Sequence, residues 1–427
     1  MPVHPDSHTP PLSLAQFTKN GGLTQEQTRE EQCKTATPWI ATASEVTGLY
    51  IHVPFCFHKC HYCDFFSIVG DASYQQQFVN QLTTEFQIAS THISQPIQSI
   101  FIGGGTPTLL EPSLLSMMLK SINSNFTLDA TCEWTIEVNP ETVTSELALI
   151  LMDAGVNRVS IGVQTFNEVR LKALERLHKP SSVYRSVDHF RAVGFENINL
   201  DLIFAIPGQT LAMAEDDLRK AIELEPAHIS SYALTYEPQT PLYTREKRGE
   251  VEKVNEEVEA RMFEQTMRIL ADAKYEQYEI SNYCQPGKEC RHNLNYWNNG
   301  AWWPFGPAAA GHVAGRRWRN VPRLSQYCQA DGLPPVEDVE LLSENSRVGE
   351  TFMLGLRLLR GIPKQKVLAL LTQEGGDNRH ALIKQHMEAG LLEWSPDLRL
   401  TKKGLMLADT VMGDLLMART PMVDTKK

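Results

Sequence analysis

Tyr50-Ile-His-Val-Pro-Phe-Cys56-Phe-His-Lys-Cys60-His-Tyr-Cys63 is the stretch from which the fold is read outward. The short run Leu49–Val53 has the length and apolar content of a strand, and three cysteines follow it at C-x3-C-x2-C spacing. Three thiolates on one loop suit three irons of a [4Fe–4S] cube, because such clusters are held by cysteine thiolates. The fourth iron would stay open to the amine and carboxylate of a small molecule. The spacing alone also permits zinc, with His58 or His61 completing a closed four-ligand site.

From residue 48 to about 240 the same unit recurs: a β-rich run, a turn, then a longer amphipathic stretch. Expected strands are Leu49–Val53, Ser99–Ile102, Trp134–Val138, Arg158–Val163, Asn199–Phe204 and His228–Leu234. Expected helices between them include Tyr74–Ser90, Glu111–Asn123, Ser145–Ala154, Ser182–Val193 and Ala212–Leu224. This alternation implies βαβ units and a parallel sheet, either an open partial β/α barrel or a doubly wound sheet. Polar groups fall just after the strands: Gly103–Gly105, Glu137, Gln164 and Asp201. Loops after strand carboxyl ends carry the site in such folds, so separate strands deliver these groups to one face. The turn Gly103-Gly-Gly-Thr-Pro107 lets backbone approach a ligand closely.

The wider composition removes several classes. Forty Lys and Arg against 51 Asp and Glu leave a net charge of -11, which argues against a general nucleic-acid binder. No stretch approaches the roughly 18 apolar residues of a membrane span. Eight cysteines in 427 residues, three of them within one loop, suggest a metal site and not a disulfide scaffold. Residues 1–47 lack an apolar signal core and an Arg-rich, acid-poor transit pattern, so they are expected to form a polar arm on a cytoplasmic protein.

Further motifs narrow the reading: Ile-Glu137-Val-Asn-Pro140, Ser160-Ile-Gly-Val-Gln164-Thr-Phe166, Leu174-Glu-Arg176-Leu-His178, Asn199-Leu-Asp201, Pro207-Gly-Gln-Thr210 and His228-Ile-Ser-Ser-Tyr232. With the cysteine loop and the glycine turn, they make residues 48–415 resemble the radical S-adenosylmethionine (SAM) superfamily, in its oxygen-independent coproporphyrinogen III oxidase-like group. The resemblance implies an α/β fold, an open partial (β/α)6 barrel with a small, mainly helical C-terminal domain of winged-helix type. It implies cluster ligands Cys56, Cys60 and Cys63. It also implies SAM contacts at Tyr50, Tyr62, Gly104, Gly105, Thr106, Glu137, Gln164, Arg176 and Asp201. The expected division is 1–47 arm, 48–240 partial barrel, 241–340 helix plus aromatic-rich porphyrin or haem region, and 341–427 helical domain.

The group contains oxidases and haem chaperones. Oxidases typically carry another cysteine two residues past the third ligand, whereas this chain reads Cys63-Asp64-Phe65-Phe66-Ser67. Cys290-Arg-His292-Asn293-Leu-Asn-Tyr296-Trp297 fits the HNxxYW motif associated with haem in the chaperone branch. His292 is therefore the haem candidate, although a lone histidine beside an asparagine is as readily a hydrogen-bonded structural residue. The aromatic run Trp297–Phe305 is expected to face a porphyrin, and Arg316-Arg-Trp-Arg319 to meet propionates or to form a solvated loop. The run Phe305-Gly306-Pro307-Ala-Ala-Ala-Gly311-His312 departs from the family's usual Gly-Pro-Gly-Ala-His-Ser-like pattern, which leaves the place of His312 open. The resemblance thus implies a haem-binding chaperone holding a [4Fe–4S] cluster and SAM, handing haem to a membrane or respiratory acceptor. The alternative is an oxygen-independent coproporphyrinogen III dehydrogenase, which decarboxylates propionates oxidatively through a 5′-deoxyadenosyl radical.

Overall fold

A computed structural model describes residues 36, 43–69, 73–372 and 378–418. Most of the arm expected over 1–47, and Cys33 with it, lies outside the described residues. The chain divides into two compact units, Cys33–Leu342 and a second containing Ser343–Lys427.

The larger unit begins with six parallel strands and their crossover helices: β1 (Gly48–Val53), α1 (Ser73–Ser90), β2 (Ile97–Gly104), α2 (Pro112–Asn125), β3 (Leu128–Val138), α3 (Ser145–Ala154), β4 (Arg158–Gln164), α4 (Pro180–Ala192), β5 (Asn197–Phe204), α5 (Leu211–Glu223) and β6 (His228–Ala233). Apolar residues fill one face of each strand. Ile51, Ile100, Ile136, Val159, Leu200 and Ile229 are all fully or almost fully buried with the helices. The helices start where the sequence offers caps. Thr144 and Thr210 accept the backbone N–H groups of Leu147 and Met213.

The opposite strand face is polar. Glu137, Ser160, Asn199 and His228 stand side by side across four strands. Isolated polar groups would be costly there, so they satisfy one another. Ser160 donates to Asp201 at 2.8 Å, Asn199 Nδ2 bridges Ser160 and Asp201, and His228 Nδ1 donates to Asn199 Oδ1 at 2.6 Å.

The sheet is wider than the six expected strands. After α6 (Glu256–Asp272), β7 (Glu276–Glu279) and β8 (Asn282–Cys284) extend one edge through antiparallel pairing with β6. Following α7 (Arg291–Trp297), β9 (Trp302–Phe305) pairs parallel with β1, and β10 (Ala310–Val313), β11 (Arg316–Asn320) and β12 (Val336–Leu341) follow as antiparallel neighbours. The result is one mixed twelve-stranded sheet, ordered β12-β11-β10-β9-β1-β2-β3-β4-β5-β6-β8-β7, and not a closed barrel. The aromatic run expected as a porphyrin-facing loop is therefore largely a buried strand: Trp303 and Phe305 are almost fully covered, and Phe305 packs edge-on against Phe86 of α1 at 4.7 Å. The arginine patch is the strand next to the sheet edge, where Arg319 pairs with Glu337 and, at 2.7 Å, with Asp338.

The smaller unit holds α8 (Glu344–Gly355), α9 (Lys364–Leu371), α10 (Arg379–Glu388), the antiparallel ribbon β13 (Leu392–Trp394) and β14 (Leu398–Leu400), and α11 (Ala408–Leu416). Arg379, fully buried, joins three of these helices. Its guanidinium donates to the Leu415 carbonyl at 2.8 Å and to the Asn345 side-chain and main-chain oxygens at 2.7 and 3.0 Å.

Glu85 of α1 fastens the strands after β9. It accepts from Gly306 N at 3.0 Å, from Asn320 Nδ2 at 3.4 Å and from the Tyr327 hydroxyl. Burial pushes its carboxyl up to about 8, against the opposing pull of these donors. A raised folded value means that the stabilisation is complete below the ordinary range near 4.5 and is lost as pH climbs towards 8. Wild-type melting temperature is therefore expected to fall between pH 5 and pH 8 by a few degrees more than that of Glu85→Gln, and equal slopes in the two thermal-melt series would contradict the assignment.

Candidate functional site

The cysteine loop is clamped at the carboxyl end of β1. At its base, Phe55–Cys56 pairs with Ile68–Val69, and Ile68 N donates to the Pro54 carbonyl. The glycine turn after β2 docks on the same place: Gly105 N donates to Val53 O at 2.8 Å and Thr106 N to Phe55 O at 2.7 Å. From the other side, Leu242 N holds the His61 carbonyl at 2.8 Å. Tyr62 packs with Leu174, Ile206, Leu234 and Leu242.

Within this frame the expected residues meet in pairs. The Thr106 hydroxyl lies 3.8 Å from Cys56 Sγ. Arg176 extends Nη1 to 3.8 Å from Cys60 Sγ while Nη2 donates to Gly162 O at 2.9 Å. Glu137 Oε2 accepts from Gly104 N at 3.2 Å. Burial, reinforced by neighbouring Asp201, pushes the Glu137 carboxyl up to about 7; Asp201 is raised too, chiefly by burial. Burial also pushes the Cys63 thiol up to about 12. Tyr50 donates to His52 Nδ1 at 3.1 Å, which leaves His52 Nε2 to donate to the Phe66 carbonyl at 2.7 Å. That second histidine bond ties β1 to the far end of the cysteine loop.

Two observations mark a ligand cradle here. Gln164, at φ 61, ends β4 with a buried Oε1 that has no hydrogen-bond partner among the described residues, and buried Arg176 Nε has none either. Three successive glycines keep the turn bare. A Cβ on Gly103 would stand 2.5 Å from Glu137 Oε2, and one on Gly104, whose φ is +99, would strike the His52 ring.

His292 stands elsewhere. It is completely buried on α7, its Nδ1 bonded to the Ser99 hydroxyl at 2.9 Å and its Nε2 to the Tyr296 hydroxyl at 2.9 Å, with its ring stacked on Phe101. Ser99 pairs with Gly48 at the start of β1, whereas Gly104 pairs with Val53 at its end. Roughly five residue steps, about 16 Å along a strand, separate these levels. His292 thus lies towards the amino ends of the strands, away from the cysteine loop, and offers no free ring nitrogen to iron. Burial lowers its basicity to about 3. His312 is also buried, on β10, with Nδ1 at 3.1 Å from the Gly300 carbonyl. His58 Nε2 and His61 Nδ1 each stand 3.9 Å from a Glu175 carboxylate oxygen, and among the described residues no three His, Cys, Asp or Glu side chains converge on a single ion.

Sequence reasoning missed His52, Arg158, Ser160, Asn199 and His228. Their signal was available as polar residues at every second position of otherwise apolar strands: Arg158 and Ser160, Asn199 and Asp201, His228 and Ser230.

This arrangement is that of a radical SAM protein. The sequence pattern of the Radical SAM superfamily matches residues 50–221, and that of the HemN C-terminal domain matches residues 342–407. The chain is 36% identical over 372 residues to Heme chaperone HemW of Lactococcus lactis subsp. lactis (strain IL1403), which covers 86% of this chain and 97% of that protein. It is 38% identical over 332 residues to the protein of the same name from Escherichia coli (strain K12), covering 75% and 85%. Coproporphyrinogen III oxidase (HemN) of Escherichia coli shares the fold, with a TM-score of 0.77 at 20% identity over 89% of this chain and 93% of that one. The chain belongs to the HemW family of the radical SAM superfamily.

The family implies a [4Fe–4S] cluster and SAM, and the residues present suit both: three free thiols on one loop, a bare glycine edge, and buried polar atoms awaiting a partner. Gly105 is held against backbone that cannot swing aside, because a Cβ there would stand 2.7 Å from the Phe55 carbonyl oxygen and 2.8 Å from that of Val53. Gly105→Ala must shift backbone and is expected to cost about 1–3 kcal/mol. Unchanged stability in chemical denaturation would contradict the close docking of turn on loop.

Proposed function

We propose that this chain is a haem-binding chaperone on a [4Fe–4S]/SAM scaffold that delivers haem to an acceptor protein. The observation that carries the reading is its similarity to Heme chaperone HemW proteins over nearly their whole length. Phe65, standing where the oxidases typically have a further cysteine, supports it.

In this reading Cys56, Cys60 and Cys63 hold three irons. The guanidinium of Arg176 pairs with the SAM carboxylate, and Glu137 and Asp201 accept from its amine or ribose hydroxyls. Gly104, Gly105 and Thr106 give the ligand a close backbone edge, flanked by Tyr50, Tyr62 and Gln164. When bound, cluster and SAM supply one-electron chemistry. The chain's own part is to orient them and to fix charge around them. Its buried carboxylates Glu137 and Asp201, both raised chiefly by burial, bring negative charge to whichever cation enters. Among the described residues no helix is long and apolar enough to cross a membrane. We place the carrier in the cytoplasm, with a membrane-bound or respiratory haem protein as its acceptor.

The test is an anaerobic assay of reconstituted protein with SAM, reductant and coproporphyrinogen III, run beside a haem titration. Uptake of haem in a fixed ratio to protein, with no decarboxylated porphyrinogen, is the expected outcome. Formation of protoporphyrinogen would establish the oxidase activity instead.

A further inference from the structure

We propose that the haem iron is taken by His58 of the cysteine loop, at the carboxyl mouth of the sheet, and not by the HNxxYW histidine; the proposal rests on the carrier reading above. An axial imidazole must offer iron an unprotonated ring nitrogen on an accessible ring. Most histidines of the larger unit fail this requirement. His52, His228 and His292 are buried with both ring nitrogens hydrogen-bonded, and His178 and His312 are buried as well. The Nδ1 of His61 receives Arg245 Nη1 at 3.3 Å. His92 is exposed and His189 half-buried with Nδ1 at 3.0 Å from the Ser145 hydroxyl, but they lie after α1 and within α4, away from the cysteine loop.

His58 differs in each respect. Its side chain is 38% exposed, and neither ring nitrogen makes a hydrogen bond among the described residues. Glu175 Oε2 stands 3.9 Å from Nε2, an acceptor on that side of the ring that would orient it with Nδ1 towards iron. The neighbouring surface suits a porphyrin. Phe57 and Phe65 of the same loop, and Leu177 beside Arg176, are 64%, 57% and 70% exposed. Large apolar side chains left in water around one polar ligand are the mark of a binding face. Exposed Lys59, and half-buried Arg245, which also faces Glu250 at 3.8 Å, bring positive charge to this mouth in a chain that is acidic overall, as propionates require. Haem seated there lies next to the three cysteines, since His58 falls between Cys56 and Cys60.

The experiment titrates hemin into the anaerobically reconstituted full chain, as wild type, His58→Ala and His292→Gln, following the Soret band and the haem electron paramagnetic resonance spectrum. Wild type is expected to take one haem. His58→Ala is expected to bind at least tenfold more weakly with an altered spectrum, and added imidazole to restore the wild-type spectrum. His292→Gln, which keeps hydrogen-bonding groups on a buried side chain, is expected to stay within twofold of wild type. Wild-type affinity and spectrum in His58→Ala, or a loss that imidazole does not repair, would overturn the proposal while leaving the carrier reading intact. A wild-type protein that takes no haem would defeat the carrier reading itself.

Discussion

The two backbone hydrogen bonds from the glycine turn to the exit of β1, Gly105 N to Val53 O and Thr106 N to Phe55 O, are the constraint on which the site depends. They fix the cysteine loop to the second strand at a separation that no side chain at 105 would permit. The same docking brings the Thr106 hydroxyl to Cys56 and turns Gly104 N towards Glu137. A loop bearing three thiols has many conformations in isolation, and their entropy opposes any defined geometry. Here the geometry is set beforehand by a strand, a turn and the helix at Pro241–Lys247.

Behind that loop the polar strand face runs as a continuous network, from Asp201 through Ser160 and Asn199 to His228 and the Tyr278 hydroxyl. Arg158 sits within it, buried, its nearest hydrogen bond a 3.5 Å contact with Thr135. Helix α7 belongs to the same interior. Glu133 accepts Arg291 N at 2.9 Å, and His292 bridges Ser99 and Tyr296. A histidine held at both nitrogens locks a helix to a sheet, and its neutral state follows from burial. The HNxxYW stretch thus contributes to the rigidity of the interior, while the exposed chemistry gathers at the cysteine loop.

Much of this was legible from the residues alone. The six parallel strands and five crossover helices lie where alternation placed them, with boundaries shifted by a few residues, because buried strands and amphipathic helices leave local patterns. The six strands added at the sheet edges were missed for a physical reason. They are short, and β9 pairs with β1 across some 250 residues of chain, a relation that no window of sequence contains. Aromatic residues at 302, 303 and 305 therefore read as a platform when they are interior packing, Phe305 against Phe86 of α1, Trp303 against Trp318 and Trp302 against Tyr296 and His312. The site residues divide in the same way. The cysteines and glycines stand out by spacing, whereas whether His292 or His58 has a free nitrogen depends on partners such as Ser99 and Glu175, remote in the chain.

The central claim is that one chain holds an iron–sulfur cluster and haem together on this scaffold. Native mass spectrometry of the anaerobically reconstituted full-length protein, with SAM and haem supplied, reads it directly. The account predicts a species whose mass equals the chain plus one [4Fe–4S] cluster plus one haem. Haem found only on chains lacking the cluster, or on none, would contradict it.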